Sequence, residues 1–294
     1  MIFRIARRYL IMTHADRLFI ENCEAIINSP FSDEGMEVRP HWEDGTPAHT
    51  KKIFGVCNRY DLREEFPIMT LRRIYWKTAF QEVLWIYQKK SNAIAELGSH
   101  IWDSWDVGDG TIGKAYGYQI AQKTKYPEGP MDQMERVIWD LKHNPMSRSI
   151  ITTTYNMADL PAMGLRPCAY SMTYNVTRDT NTGEVILNGL LNQRSQDMLT
   201  ANNWNTVQYA LLLMLVAQEV GMTPGVLVHM IADCHIYDRH IPIVKKMIED
   251  GRNNTCEAPH VWLEKKCFDA FSPKDVHVEG YEYMPFDEKI EVAI

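Results

Sequence analysis

One cysteine and a polar run downstream of it carry the residue types that covalent catalysis uses. The cysteine lies in Arg166-Pro167-Cys168, and the polar run is Asn192-Gln193-Arg194-Ser195-Gln196-Asp197. Between them, residues 170–176 and 184–191 alternate apolar and polar side chains, which predicts two antiparallel strands joined by a turn-rich loop. Such a hairpin would bring Cys168 close to Arg194, whose charge favours the nucleophilic thiolate. The alternative interpretation is that Cys168 is a small buried residue of the core.

The elements that could position these side chains follow from the apolar periodicity. Apolar residues at intervals of three and four predict helices at residues 14–28, 71–89, 131–144, 205–220 and 239–249. Besides the hairpin, strands are predicted at residues 53–62, 149–155 and 225–232, with further strands in the closing segment. The sequence has no repeated strand-helix-strand unit and no GxGxxG motif, so it predicts an α+β fold.

Length and composition limit the class of protein. A chain of 294 residues with 45% hydrophobic residues can bury a large core. The formal net charge of −7 argues against broad nucleic-acid binding, so an anionic ligand would need a local arginine cluster. The six cysteines form no CxxC pair, which predicts neither a disulfide framework nor a zinc site and favours a reducing cytoplasm. No membrane span is predicted, because no apolar run is long enough.

Several candidate side chains have a structural explanation beside the chemical one. Glu82 lies next to the apolar stripe of the helix predicted at residues 71–89, and spacing alone favours a helix-surface charge over a buried acid. Arg39, taken by itself, is predicted to be a solvated loop arginine. The tryptophans within residues 100–110 could stack on a flat ligand or cap the core. The HxYxxH segment that starts at His235 lacks the i, i+4 spacing of a helical metal site, so no metal is predicted.

Taken together, the short motifs resemble the thymidylate synthase family. The motifs that carry the resemblance are Arg166-Pro167-Cys168, Gln193-Arg194-Ser195-Gln196-Asp197, Trp204-Asn205 and Asp233-Cys234-His235-Ile236-Tyr237-Asp238-Arg239-His240. The match runs from about Glu37 to the last residue and includes Gln81-Glu82-Val83-Leu84-Trp85, Ile101-Trp102-Asp103 and Val292-Ala293-Ile294. Each motif is unspecific alone, and their order along the chain makes the resemblance specific.

The resemblance implies a fold, an assembly and a reaction. It implies an obligate homodimer of α+β subunits, each a single domain of residues 13–294 around a large mixed β-sheet flanked by helices. Residues 1–12 would be a disordered or packing extension. The reaction would join dUMP to the one-carbon unit of 5,10-methylenetetrahydrofolate, a co-substrate, in the cytoplasm of the cell or of a viral host. No metal, membrane or obligatory nucleic acid is implied. A thiolate that adds to carbon 6 of uracil makes carbon 5 nucleophilic.

The resemblance also implies roles for individual residues. The catalytic residues would be Cys168, Glu82, Tyr116, Arg194, Asn205 and Asp197. Cys168 would be the nucleophile, which Arg194 keeps ionised. Glu82 would relay protons to the pyrimidine, and Tyr116 would help to remove the carbon 5 proton. The substrate-binding residues would be Arg39, Arg148, Arg194, Ser195, Asp197, Asn205, His235 and Tyr237, with the arginines and Ser195 on the phosphate, Asn205 on the uracil edge, and His235 and Tyr237 on the sugar. The folate-binding residues would be Trp102, Asp197 and Ala293, the last within a closing tail that excludes water. Arg148 would reach the partner subunit's phosphate site.

Three positions depart from the usual family pattern. Ser149 stands where most members have a second arginine after Arg148, so one contact across the dimer is in question. Ala169 replaces a histidine that commonly follows the nucleophile. The usual Gly-x-Pro-Phe-Asn is Ala201-Asn202-Asn203-Trp204-Asn205, in which alanine loses access to a positive φ if the position requires one.

These departures keep a second product open. Sister hydroxymethylases add water instead of hydride to the same intermediate and would give 5-hydroxymethyl-dUMP and tetrahydrofolate. The tail and Trp102 favour methylation, whereas Ala201, Asn203 and Trp204 leave room for hydration. We predict methylation, to dTMP and dihydrofolate, because hydride transfer requires that water be excluded. A cysteine hydrolase lacks a supporting histidine spacing, and a noncatalytic binder of nucleotide or messenger RNA would leave the retained polar set unexplained.

Overall fold

The computed structural model describes residues 12–294, so the predicted extension lies, except for Met12, outside the described residues. The helices are α1 (His14–Asn28), α2 (Trp76–Tyr87), α3 (Gly117–Ile120), α4 (Gln133–His143), α5 (Trp204–Val220) and α6 (Ile241–Gly251). Short 3₁₀ turns, among them Asp103–Trp105 and Leu160–Ala162, lie in the connections. Within residues 12–294, none of the helices has the length and apolar character that crossing a lipid bilayer requires.

The strands form one large sheet and two small ones. They are β1 (Thr50–Asp61), β2 (Thr124–Tyr126), β3 (Gly129–Met131), β4 (Ile151–Thr153), β5 (Ala169–Arg178), β6 (Val185–Asp197), β7 (Thr223–Tyr237), β8 (His260–Leu263) and β9 (Val276–Glu279). The large sheet has the order β1-β7-β6-β5-β4, and only its β6–β7 pair is parallel. The prediction of an α+β fold around a large mixed sheet is confirmed.

The β5–β6 hairpin places the candidate nucleophile beside its arginine. The two strands pair antiparallel from Arg178 opposite Val185 to Ala169 opposite Gln193, with an irregularity in the register near Ala169. At the open end of the hairpin, the Arg194 N–H donates to the carbonyl oxygen of Cys168 over 2.9 Å. The predicted hairpin is therefore confirmed, and its strands are longer than the sequence pattern indicated.

Helix α5 fills the centre of the molecule and carries one wall of the site at its first turn. Its middle turns are buried on all sides, and it packs against α2, where the Tyr87 and Tyr209 hydroxyl groups lie 3.0 Å apart. Each large apolar side chain that is fully buried in this way contributes about 1.5–3 kcal/mol to folding. The helix ends at Gly221, whose φ of 70° is the left-handed conformation that glycine adopts without strain.

The predicted element boundaries differ from the observed ones where tertiary contacts decide. Helix α2 begins at Trp76 rather than at residue 71, because the preceding backbone bonds elsewhere: the Ile74 N–H donates to the Tyr281 hydroxyl. Strand β7 continues to Tyr237 instead of ending at residue 232. The prediction of strands to the end of the chain is wrong, since residues 280–294 contain no regular element.

Candidate active site

One cavity of about 920 Å³ collects almost all the site residues that the sequence predicted. Its lining includes Arg39, Glu82, Trp102, Tyr116, Cys168, Arg194, Ser195, Asp197, Asn205, His235, Tyr237 and Ala293. Arg148 does not line it and is exposed on the segment before β4. The cavity lies at the upper end of the volume range of ligand pockets, so it has room for more than one small ligand.

Cys168 and Arg194 are in contact. The Arg194 guanidinium donates to the carbonyl oxygens of Arg166 and Pro167 over 2.6 and 3.0 Å, and its Nη2 lies 3.7 Å from the Cys168 sulfur. These backbone bonds fix the direction of the guanidinium, so its charge is aimed at the sulfur. The interpretation of Cys168 as a core residue is wrong, because the side chain is only half-buried and lines the cavity.

Burial and the nearby arginines act on the Cys168 thiol in opposite directions, and burial has the larger effect. Burial raises the pKa of the Cys168 thiol above its ordinary value, and the charges of Arg194 and Arg39 only partly offset that rise. Desolvation penalises the thiolate more than two guanidinium groups stabilise it. The thiol is therefore protonated at neutral pH, and nucleophilic attack must be accompanied by loss of its proton.

Tyr116 supports Cys168 from the other side. The Cys168 N–H donates to the Tyr116 hydroxyl over 3.0 Å. Tyr116 has a φ of 43°, a strained conformation for a residue with a side chain. The next residue, Gly117, must be a glycine, because a Cβ there would lie 2.0 Å from the Ser91 carbonyl oxygen. Burial and the nearby Cys168 raise the pKa of Tyr116 well above its ordinary value, so the phenol stays neutral.

Glu82 is a buried acid rather than a helix-surface charge, so the spacing argument was wrong for this residue. Only 6% of its surface is exposed, and two indole N–H groups donate to its carboxyl oxygens: Trp102 to Oε1 over 3.0 Å and Trp204 to Oε2 over 2.7 Å. Burial raises the pKa of Glu82 to about 7 against the effect of these hydrogen bonds. A carboxyl group with that pKa can both accept and release a proton near neutral pH.

The orientation of the Asn205 amide is fixed from both ends. Gln193 donates to the Ser195 carbonyl oxygen over 2.9 Å and to Asn205 Oδ1 over 3.2 Å. On the other side, Asn205 Nδ2 donates to Gln208 Oε1 over 3.1 Å, and Gln208 in turn donates to the Ala79 carbonyl oxygen over 3.1 Å. Because a backbone carbonyl can only accept, both chains impose the same amide orientation on Asn205.

Two further polar groups in the cavity are held by neighbours. Asp197 Oδ1 accepts the N–H groups of Leu199 and Thr200 over 2.9 and 3.2 Å, and its Oδ2 accepts the Thr200 hydroxyl. His235 Nδ1 lies 2.6 Å from Asp233 Oδ1. The imidazole therefore donates from Nδ1 and keeps Nε2 for a ligand.

Two polar ring side chains near the end of β7 lie next to each other in the cavity wall. His235 and Tyr237 point to the same side of the strand, with ring centroids 5.2 Å apart. Burial raises the pKa of Tyr237 to about 12, so its hydroxyl remains a neutral donor and acceptor.

The closing tail forms part of the cavity wall. Val292 and Ala293 line the cavity, and the backbone of Ile294 exchanges two hydrogen bonds with His41, of 2.9 and 3.0 Å. Glu291 holds the tail from the side, through contacts of 3.0 and 3.1 Å with Arg239. Through its bonds with His41, the tail contacts the segment that carries Arg39. Arg39 is exposed, as predicted for a loop arginine, and it also lines the cavity.

The unusual loop before α5 does not need a glycine at its first position. The positive φ, 57°, occurs at Asn203 and not at Ala201, so the alanine causes no strain. Asn203 is 2% exposed, accepts the Met69 N–H over 2.7 Å and donates to the Pro67 carbonyl oxygen over 2.9 Å. Asparagine tolerates this conformation when its side chain is bonded to backbone.

Sequence reasoning missed the residues that orient the site. Gln208 stands three positions after Asn205 on a helix, and Asp233 stands two before His235 on a strand, so both spacings were available as signals. The Trp204 contact with Glu82 had no such signal, because it joins α5 to α2. Residues 12–294 contain no group of three His, Cys, Asp or Glu side chains placed to hold a metal ion.

Comparison with known proteins gives a consistent result. A model of the thymidylate synthase family matches residues 18–294. The chain is 40% identical over 279 residues to the thymidylate synthase of Bacillus phage phi3T, an alignment that covers 92% of this chain and 96% of that protein. With thymidylate synthase 1 of Bacillus subtilis strain 168 the identity is 39% at the same coverage. The fold is similar to that of thermostable thymidylate synthase A from Bacillus subtilis, with a TM-score of 0.87 and 37% identity over 95% of this chain and 99% of that one.

Proposed function

The chain belongs to the thymidylate synthase family, and we propose that its cavity binds dUMP beside a reduced folate and carries out the reaction of that family. It transfers the one-carbon unit of 5,10-methylenetetrahydrofolate to carbon 5 of dUMP and forms dTMP and dihydrofolate. The observation that carries the proposal is the convergence of Cys168, Arg194 and Asn205 on one cavity. Residues 13–294 act as one catalytic domain, since segments from the loop of Arg39 to the tail line that cavity.

Cys168 is the proposed nucleophile, and arginines with Ser195 hold the phosphate. Addition of the Cys168 sulfur to carbon 6 of uracil leaves an enolate, whose carbon 5 attacks the one-carbon unit. Because the pKa of the thiol is raised, its proton passes to water in the cavity as the sulfur attacks. The Arg194 guanidinium, 3.7 Å from the sulfur, stabilises the negative charge that develops there and binds phosphate oxygens with Arg39.

Asn205 selects the base. One hydrogen of its amide and one lone pair of its oxygen remain after Gln193 and Gln208 are satisfied, and that pair complements an acceptor and a donor on neighbouring atoms. Uracil presents O4 and N3–H in that order, whereas cytosine presents the opposite polarity. His235 and Tyr237 bind the sugar hydroxyl with one ring nitrogen and one phenol.

Glu82 and Tyr116 move protons. The pKa of about 7 suits Glu82 to relay a proton through water to and from the pyrimidine ring. Tyr116, whose hydroxyl is bonded to the Cys168 backbone, lies on the side of the nucleophile and assists loss of the carbon 5 proton. After that loss, reduced folate leaves and an exocyclic methylene forms on carbon 5.

The folate supplies the one-carbon unit and then a hydride to the exocyclic methylene. As the hydride adds, the bond between the Cys168 sulfur and carbon 6 breaks, which releases the thiolate, dTMP and dihydrofolate. Trp102 faces its ring, Asp197 binds the pterin through the carboxylate that Thr200 orients, and Ala293 closes over it. Because water would compete with hydride for the exocyclic methylene, the tail that Glu291 and Ile294 hold in place favours the methyl product.

A homodimer completes the phosphate site in this proposal. Arg148 is exposed and lies outside the cavity of its own chain, so it is free to reach the phosphate bound by the partner subunit. Ser149, also exposed, leaves Arg148 as the single arginine of that segment. We also propose a reducing compartment, the cytoplasm, because the six cysteines are all free and the nucleophile must be a thiol.

The proposal is tested by trapping the covalent intermediate. The protein is incubated with 5-fluoro-dUMP and methylenetetrahydrofolate. The reaction should stop at the covalent intermediate, because 5-fluoro-dUMP has fluorine on carbon 5 in place of the proton that must be removed. Mass spectrometry of the digested protein should find nucleotide and folate joined to Cys168, and the Cys168→Ser variant should form no adduct. A folded wild-type protein that forms none would refute the proposed function.

The product distinguishes methylation from hydroxymethylation. With dUMP as substrate, the ultraviolet absorbance of dihydrofolate should rise in step with nucleotide consumption, and the product should have the mass of dTMP. A product heavier than dTMP by one oxygen, formed without dihydrofolate, would show that the protein hydroxymethylates dUMP instead of methylating it.

A further inference from the structure

Glu82 is held by a second tryptophan that the expected set of site residues does not include. Trp204 donates its indole N–H to Glu82 Oε2 over 2.7 Å, while Trp102 donates to Oε1 over 3.0 Å. Each carboxyl oxygen thus has its own indole donor. Trp204 is half-buried and lines the cavity directly before Asn205, the proposed base-reading residue.

The position of Trp204 is fixed by the loop that precedes it. Asn203 is 2% exposed, and its amide bonds to the backbone of Pro67 and Met69, ahead of α2. The Asn202 N–H donates to the Asp197 carbonyl oxygen over 2.8 Å, which ties the loop to the end of β6 as well. The backbone next to Trp204 is therefore fixed, and the indole connects α5 to Glu82 on α2.

We propose that Trp204 is a positioning residue, which aims the Glu82 carboxylate at the proton-transfer site and stabilises its ionised form through the indole N–H. The inference about catalysis rests on the proposed function, whereas the effect on Glu82 itself does not. Trp204 stands where the family pattern usually has phenylalanine, and this proposal gives that difference a role in acid–base chemistry rather than in packing or in admitting water.

The electrostatic surroundings of Glu82 make the contribution of the indole measurable. Burial raises the pKa of Glu82, and the Trp204 hydrogen bond is the largest of the three that lower it, ahead of those from Trp102 and Gln208. Tyr116, which lines the same cavity, is a titratable group on which the Glu82 charge acts, and its phenol stays neutral. No cation contacts the carboxylate among the described residues, so the neutral donors alone oppose the effect of burial on its ionisation.

The test measures the ionisation of Glu82 directly. The carboxyl carbons of glutamate are labelled with ¹³C in the full-length protein, and the Glu82 resonance is identified by its absence from the Glu82→Gln variant. In Trp204→Phe, which keeps an aromatic ring and removes the N–H, the pKa of Glu82 should rise by about one pH unit. Trp139→Phe is the matched control, because Trp139 lies on α4 outside the cavity, and it should leave the resonance unchanged.

Kinetics give the second readout. The acid limb of the kcat profile should move to higher pH by the same amount in Trp204→Phe, with little change in KM for dUMP. A folded Trp204→Phe protein with an unshifted Glu82 pKa would overturn the inference and leave Trp204 a packing residue. A wild-type protein that forms no dTMP, while the pKa of Glu82 still responds to Trp204→Phe, would refute the proposed function and support the inference.

Discussion

Replacing His229 by glutamine should remove the acid sensitivity that this buried imidazole builds into the fold. His229 is fully buried in β7, and its Nε2 lies 2.8 Å from Gln193 Oε1. Because the Gln193 amide nitrogen is used by Ser195 and Asn205, its oxygen faces His229 and the imidazole donates from Nε2. His229 Nδ1 is buried and has no partner among the described residues, so a proton added there would be an unpaired buried charge.

The size of the effect follows from the pKa difference between the two states. Burial lowers the pKa of His229 from 6.5 in the unfolded chain to about 3 in the fold. Below the unfolded value, the unfolded state binds a proton that the folded state refuses, so stability falls as the pH falls from 6.5 towards 3. Between pH 7 and pH 5 this one group lowers the free energy of unfolding by about 2 kcal/mol.

The assay compares the pH dependence of stability in three proteins. Guanidinium unfolding midpoints are measured at pH 7 and pH 5, at one protein concentration, for wild type, His229→Gln and the exposed-residue control His260→Gln. The free energy of unfolding, obtained from these curves, should fall between pH 7 and pH 5 by about 2 kcal/mol less in His229→Gln than in wild type. In His260→Gln it should fall as much as in wild type. An equal drop in wild type and His229→Gln would refute the reasoning, whatever the absolute stability of the variant.

Three other outcomes are expected. Alkylation of Cys168 by iodoacetamide should still accelerate above its ordinary pKa of 9.0, because burial raises the pKa of the thiol; a plateau below about pH 8 would contradict this. Gly164→Ala should lower the thermal midpoint and weaken folate binding, at a cost of about 1–3 kcal/mol, because its Cβ would lie 2.0 Å from the Trp105 carbonyl oxygen; an unchanged midpoint would argue against the close approach. Glu291→Ala should raise KM for the folate and hardly change the midpoint, since it releases only an exposed contact with Arg239; unchanged folate kinetics would show that the tail is held without it.

Elements with local signals were predicted well from the sequence. Helix α1 has the predicted bounds, because Thr13 caps its first turn, where its side chain accepts the Asp16 N–H over 3.1 Å, and Ser29-Pro30 ends it. The hairpin was predicted because alternation and a turn-rich loop are also local. Helix α4 starts at Gln133, later than expected, since Asp132 and Glu135 form a capping box that sets its first turn.

Burial and orientation within the site could not be derived from periodicity. The apolar stripe beside Glu82 gave no indication that tryptophans from two other segments would enclose the carboxyl group. The continuation of β7 was missed because Asp233 and His235 are polar, which is typical of a loop, although Asp233, His235 and Tyr237 stand at every second position, as in a strand. The net effect on Cys168 depended on the balance of burial against two arginines, which only the packed structure defines.

The order of strands in the large sheet has a consequence for the growing polypeptide on the ribosome. Strand β1 lies at the edge of the large sheet, and among the described residues β7 is the one strand of that sheet that pairs with it. Strand β7 begins at Thr223, roughly 160 residues after β1 ends. At synthesis rates of about 5–20 residues per second, β1 waits about ten to thirty seconds for its partner. During that interval its free N–H and C=O groups offer a template for pairing with other chains. Substitutions that delay the docking of β7 should therefore reduce the yield of soluble enzyme before they alter turnover.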